Sequence, residues 1–230
     1  MRVKKLNLCN VTIGAALCAA VLAPFPVKAA GIAPTSYNMP NGDGQASGGS
    51  YNYWDVNYSG AGSVTTDGAA LTGGLGKLTD GFVSTQPWYN VSNSAGTGEY
   101  VGWYFPHTSN PVITFNFAGS PIINAITIQM DNTNVGGVFA PASILIDGIS
   151  HSFFAPPDGT VGSVSFTGLG LLGNSHTIEF DQDFSAWTFV SEISFDGQAA
   201  AVPEPETYAM MLAGLGLLGF ASRRRKQKAA

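Results

Sequence analysis

Six Asp-Gly dipeptides, at Asp43, Asp67, Asp80, Asp147, Asp158 and Asp196, punctuate the middle of this chain and limit what can form between them. Asp-Gly signals a turn because glycine reaches positive φ without steric cost and the aspartate side chain bonds nearby backbone. Between these turns lie short runs rich in β-branched and aromatic residues. The clearest are 112–117, 124–129, 143–146, 163–166, 176–180, 187–190 and 192–195. In the first, Val112, Thr114 and Asn116 alternate with Ile113, Phe115 and Phe117, which is the period of a half-buried strand. No part of the middle carries a helical apolar period of useful length. The pattern predicts an all-β fold, an antiparallel sandwich or barrel. The Gly-, Asn-, Ser- and Tyr-rich stretch 38–62 reads as loop, or as an extended segment packed on the sandwich.

The two ends follow other rules. Arg2, Lys4 and Lys5 precede an apolar region, 11–25, and then Val27-Lys28-Ala29. This predicts a signal peptide over 1–29, with signal peptidase cutting between Ala29 and Ala30. Cys9 and Cys18 follow leucines, where a lipobox needs a small residue, and both leave with the signal peptide. The mature chain therefore has no disulfide and no cysteine metal site. At the C-terminus, Val202, Pro203, Glu204, Pro205, Glu206 and Thr207 precede an apolar stretch, 208–221, and a basic tail, 222–230. The prolines stiffen an extended peptide. The 14 apolar residues span about 21 Å as a helix, short of a ~30 Å hydrocarbon core. They predict a thin or tilted transmembrane helix with a cytoplasmic basic end. This layout resembles the PEP-CTERM sorting signal of Gram-negative bacteria, which an exosortase reads and cleaves. The resemblance implies an exported protein, held briefly in the inner membrane and then placed at the cell surface or outside the cell.

Between Ala30 and Ala200 stand ten Asp and three Glu against a single lysine, Lys77, a formal charge of −12. That argues against nucleic acid and anionic membrane surfaces as partners. It leaves divalent cations and neutral partners such as sugars. About 170 residues are enough for one domain, 30–200, with a real core.

Within the domain, Lys77-Leu-Thr-Asp-Gly81 is followed by Trp88, Val101-Gly-Trp103, the run 111–117 and a closing stretch, 187–197. In this order the motifs resemble the discoidin, or coagulation-factor type-C, family of galactose-binding-like jelly-roll β-sandwiches, over residues 37–198. The resemblance implies a non-enzymatic module that binds carbohydrate, lipid headgroups or proteins. It also implies a structural calcium near the Asp-Gly turn, with Asp80 and Glu192 as ligands and backbone carbonyls completing the shell. Many relatives staple their termini with a disulfide, which this chain lacks.

For carbohydrate, flat aromatic faces beside polar groups are the chemistry to look for. Trp88 and Tyr89, after Pro87, and Tyr51, Tyr53 and Trp54 are the expected surface rings, whereas Trp103 and Trp187 fit a core. Two Gly-x-Gly-x-x-Gly matches, at 168–173 and 214–219, lack the strand–turn–helix setting of a dinucleotide site. His107, His151 and His176 are far apart, and no nucleophile–base set can be assigned. The carboxylates Asp131, Asp181 and Asp183 read as turn residues. The expectation is a secreted cell-envelope module that binds carbohydrate or exopolysaccharide and is not an enzyme. The alternative is a structural surface or biofilm-matrix protein that binds other proteins.

Overall fold

The alternating runs build two antiparallel sheets. The computed structural model describes residues 30–44, 50–182, 187–200 and 209–217. The expected signal peptide, the sorting residues Val202 to Glu206, the basic tail and Asp183 lie outside the described residues. Of the expected membrane segment, residues 209–217 are helical and exposed. Among the described residues no helix is long and apolar enough to cross a membrane.

The first sheet is built on β11 (Trp187–Gln198). On one side it pairs with β6 (Ile122–Asn132), which pairs in turn with β9 (Thr160–Leu172). On the other side β4 (Val101–Tyr104) takes its first four residues and β1 (Ala30–Gly31) pairs at Asp196 and Gly197. The second sheet runs β3 (Ala70–Gly74), β2 (Ser36–Pro40), β5 (Val112–Asn116), β10 (Ser175–Asp181), β7 (Ser143–Ile146), β8 (Ile149–His151). The core lies between the sheets. Tyr37, Ile113, Phe115, Ile144, Ile178 and Phe180 come from one; Ile126, Ile128, Met130, Val164, Val190 and Ile193 come from the other. In β5, Ile113 and Phe115 are buried while Val112 is exposed, as the alternation requires.

Three elements differ from the sequence reading. The runs 187–190 and 192–195 form one strand, interrupted by a bulge: Val190 pairs with Met130 and Glu192 with Gln129, leaving Ser191 as the extra residue. Bulges re-aim side chains, and Ser191 and Glu192 are both buried here. The second difference is the first glycine motif, which lies inside β9. Gly168 and Gly170 have φ of +72° and +60°, and the register jumps there from Ala125↔Thr167 to Ile123↔Leu171. Third, Asp196-Gly197, expected as a turn, lies inside β11, paired with Ala125 and Ile123 of β6. Of the two readings of 38–62, the packed segment is the one found: it opens on the last residues of β2 and then buries Tyr53, Asp55 and Tyr58.

The topology fixes two ends. β2, β4, β6 and β10 run towards one end, and β3, β5, β7, β9 and β11 start from it. The loops at 41–44, 105–111 and 133–142 gather there. Ala30 and Gly197 pair at the opposite end, about 35–40 Å away along a twelve-residue strand.

Candidate functional site

Between β4 and β1, the edge of β11 is left open over 191–194, since Phe195 O already takes the Ile32 N–H, and the Lys77–Gly81 turn fills that gap. Lys77–Thr79 form one turn of 3₁₀ helix and Asp80 ends it. Gly81, at φ +82°, donates its N–H to Glu192 Oε2 at 3.1 Å, and Ser84 N–H reaches Ser191 Oγ at 3.2 Å. The structure thus brings the Asp80-Gly81 turn to Glu192, with Gly81 and Glu192 111 residues apart in the chain. Asp80 and Glu192 line a cavity of about 400 Å³ with Thr79, Gly81 and the edge of β1. Glu192 is 8% exposed, and among the described residues no basic side chain pairs with it. Burial, and after it the Asp80 charge, push its carboxyl up to about 7, against the opposing pull of the Gly81 N–H. Thr79 Oγ1 is buried without a hydrogen-bond partner among the described residues. A crowded carboxyl pair and an orphaned hydroxyl are what a hard, oxygen-seeking cation would relieve. The residues present therefore fit calcium.

A buried hub lies under the turn. Asp55 accepts hydrogen bonds from the Tyr37 hydroxyl and, at 3.0 Å, from Lys77 N–H. Burial pushes its carboxyl up, against those two bonds. The Lys77 ammonium donates to the carbonyls of Trp54 and Gly96 at 2.7 and 2.5 Å. Burial brings it down to about 8, although Asp55 and Asp80 oppose that. The domain's single lysine is thus an internal strut.

At the loop end a second apolar cluster opens to solvent. Tyr53, Trp88, Tyr100, Val138 and Phe189 form its buried base. Trp88 is held there by Asp131, whose Oδ2 accepts the Trp88 N–H at 2.7 Å, and by its indole N–H on Val135 O at 3.1 Å. The expectation that Trp88 and Tyr53 lie on the surface is corrected: they are 8% and 2% exposed. Pro87 does start a turn, but Asp131 draws the next residue inward. Tyr89 is 44% exposed and packs edge-on to Trp88. Tyr51, Tyr104 and Trp187 are half-buried around the same base. Trp187, expected in the core, thus belongs to this rim. Trp54 is half-buried, its indole N–H on Asp67 Oδ1 at 2.6 Å. The rim brings together rings from four segments of the chain, so no local motif announces it.

Sequence reasoning also passed over Asp43, Asp67 and His107, which converge at this end: Asp43 Oδ1 lies 2.6 Å from His107 Nδ1. Asp131 and Asp181, expected in turns, instead stand at the ends of β6 and β10, where pairing with Val161 and with Ser143 keeps their backbone in the sheets. Asp131 takes the Thr133 N–H besides that of Trp88, and Asp181 takes the Ser143 hydroxyl. His176 bonds Asp147 at 2.7 Å on β10, at the opposite end.

Residues 33–197 match the family described as discoidin domain-containing receptor 1/2, DS-like domain, and residues 201–226 match the PEP-CTERM protein-sorting motif. No curated protein matches the chain. Among solved structures, similar chains include the CBM32-1 and CBM32-2 domains of Clostridium perfringens ZmpB, at 11% identity over 72% of this chain and 42% of that one, TM-score 0.35. A fucolectin from striped bass serum is 11% identical over 74% and 80%, TM-score 0.33. CpGH89CBM32-6 of Clostridium perfringens is 17% identical over 42% and 76%, TM-score 0.30.

Proposed function

Because this chain belongs to the discoidin domain-containing receptor DS-like family and carries a PEP-CTERM sorting motif, we propose that it is an exported, non-enzymatic module that binds carbohydrate, with exopolysaccharide as the ligand class. The sorting motif marks the chain as a secreted, exosortase-targeted protein. The observation that carries the binding reading is the aromatic rim of Tyr51, Tyr89, Tyr104 and Trp187 at the loop end. Pyranose rings stack their C–H faces on such rings, and the buried base beneath fixes the rim in place, so little conformational entropy is lost on binding. The rim lies at the end opposite the Ala30–Gly197 pair. An anchored chain would present it away from the membrane.

In this reading signal peptidase cuts after Ala29 and exosortase acts at Pro203-Glu204-Pro205. Asp80 and Glu192 hold a structural calcium that pins the 77–84 turn into the gap beside β11. When bound, the ion supplies positive charge beside Glu192, with which no basic side chain pairs among the described residues. Affinity electrophoresis of the full-length protein through gels containing neutral and acidic polysaccharides tests the binding. Retardation by at least one of them, lost in Tyr89→Ala with unchanged thermal stability, is the expected result. No retardation of folded protein by any polysaccharide refutes it. The mass of the secreted protein tests the processing: a C-terminus near Pro203 is expected, and an intact Ala230 end would overturn it.

A further inference from the structure

The loop end holds a polar cluster that neither the calcium reading nor the aromatic rim uses. Asp43 follows β2 and is 2% exposed. Its Oδ1 accepts hydrogen bonds from His107 Nδ1 at 2.6 Å and from the Thr108 hydroxyl at 2.8 Å. Its Oδ2 accepts the Tyr104 N–H at 2.7 Å. Asp67, which reaches in from the loop before β3, is held through Oδ1 by the Trp54 indole N–H and by Gly44 N–H at 2.8 Å. One oxygen from each aspartate and one nitrogen of His107 lie within 4.8 Å of one another.

Charge makes the arrangement informative. Two carboxylates converge here, one of them out of solvent, and such a pair needs positive charge nearby. Lys77 is the domain's only lysine or arginine, and its ammonium is committed to Trp54 O and Gly96 O. The imidazole of His107 is the counter-charge on the spot. The hydrogen bond to Asp43, and then the Asp43 charge, raise its pKa. His107 is also the exposed member, with its side chain 58% exposed. The two aspartates are fixed by backbone N–H, hydroxyl and indole donors, so their oxygens stay in place if the imidazole nitrogen changes partner.

We propose that Asp43, Asp67 and His107 form a binding site for a divalent transition-metal ion of the zinc type. An imidazole nitrogen with two carboxylate oxygens suits zinc or cobalt rather than calcium, which takes oxygen alone. The metal takes the place of the proton on His107 Nδ1, and that proton goes to solvent. Three protein ligands leave coordination positions for water or for a hydroxyl of a bound molecule. The ion ties together three loops, around Asp43, Asp67 and His107, and steadies Trp54 through Asp67. The proposal does not depend on glycan binding and is separate from the calcium reading at Asp80 and Glu192.

Cobalt serves as the spectroscopic probe. Full-length protein, stripped with chelator, is titrated with Co²⁺ while visible ligand-field bands are recorded, and Zn²⁺ is then added. The expected result is saturation near one equivalent, displacement of the bands by zinc, and a zinc-dependent rise in Tm. His107→Ala and Asp67→Asn should each remove all three effects. Both should fold: His107 is largely exposed, and asparagine keeps an oxygen for Trp54 and Gly44. His151→Ala should leave cobalt binding unchanged. Absence of bands and of a Tm rise in wild type overturns the proposal. So does wild-type affinity in His107→Ala, or loss of binding in His151→Ala.

Discussion

Replacing Glu192 by glutamine separates the two forces at the β11 gap. In wild type without calcium, the native carboxyl holds a proton that the unfolded chain releases, because its pKa is raised from 4.5 to about 7. The group's contribution to stability is full below about 4.5 and is lost as pH rises through about 7. A rise of that size corresponds to about 3 kcal/mol. The group is partly open to the cavity beside it, and solvent screening reduces this to ~1–2 kcal/mol. Glutamine keeps an oxygen for the Gly81 N–H and carries no charge against Asp80. At pH 8 in EDTA, Glu192→Gln should therefore melt about 3–6 °C above wild type, and at pH 4.5 the two should coincide. Saturating calcium should reverse the order. At a hundredfold excess over Kd it stabilises wild type by ~2.7 kcal/mol, while the variant has lost a charged ligand. Thermal unfolding followed by circular dichroism at both pH values, with EDTA and with CaCl₂, reads this directly. A variant less stable than wild type at pH 8 in EDTA would refute the charge argument. An equal calcium effect on both proteins would refute Glu192 as a ligand.

Two further perturbations probe the hub beneath the turn. Gly76→Ala should cost about 3 kcal/mol or more in urea unfolding, because a Cβ there would stand 2.4 Å from Asp55 Oδ2. Gly76 has an extended φ of −167°, so the lesion is a collision rather than backbone strain, and Asp55→Gly in the same chain should recover part of the loss. Burial lowers the Lys77 pKa from 10.5 to about 8, so its charge opposes folding below pH 8 and stability should rise as pH goes from 8 towards 10. Lys77→Met should flatten that rise in pH-dependent melts, and an unchanged slope would contradict it.

Much of the sandwich was legible because strands are local. The run 112–117 alternates, so whichever sheet it joined, Ile113 and Phe115 would face inward. The discoidin-like order of motifs was legible for the same reason, since each motif is a short segment. The bulge at Ser191 was not. It arises from how β11 meets β6, and no residue type at 190–192 demands it. Yet it is the bulge that places Glu192 against the 77–81 turn. Trp88 shows the opposite failure: local chemistry, a ring after Pro87, argued for exposure, and a carboxylate 43 residues away decided for burial.

By itself the sequence determined strand periodicity, most of the turn positions (Asp196-Gly197 is instead part of β11), the acidic and cysteine-free domain and the address at its C-terminus, because each is carried by neighbours along the chain. Only the tertiary structure decided which carboxylates meet, which rings form a rim and where the single lysine points. Those depend on contacts between segments tens of residues apart, and in a β-sandwich such contacts are set by strand order and register rather than by any local run of residues.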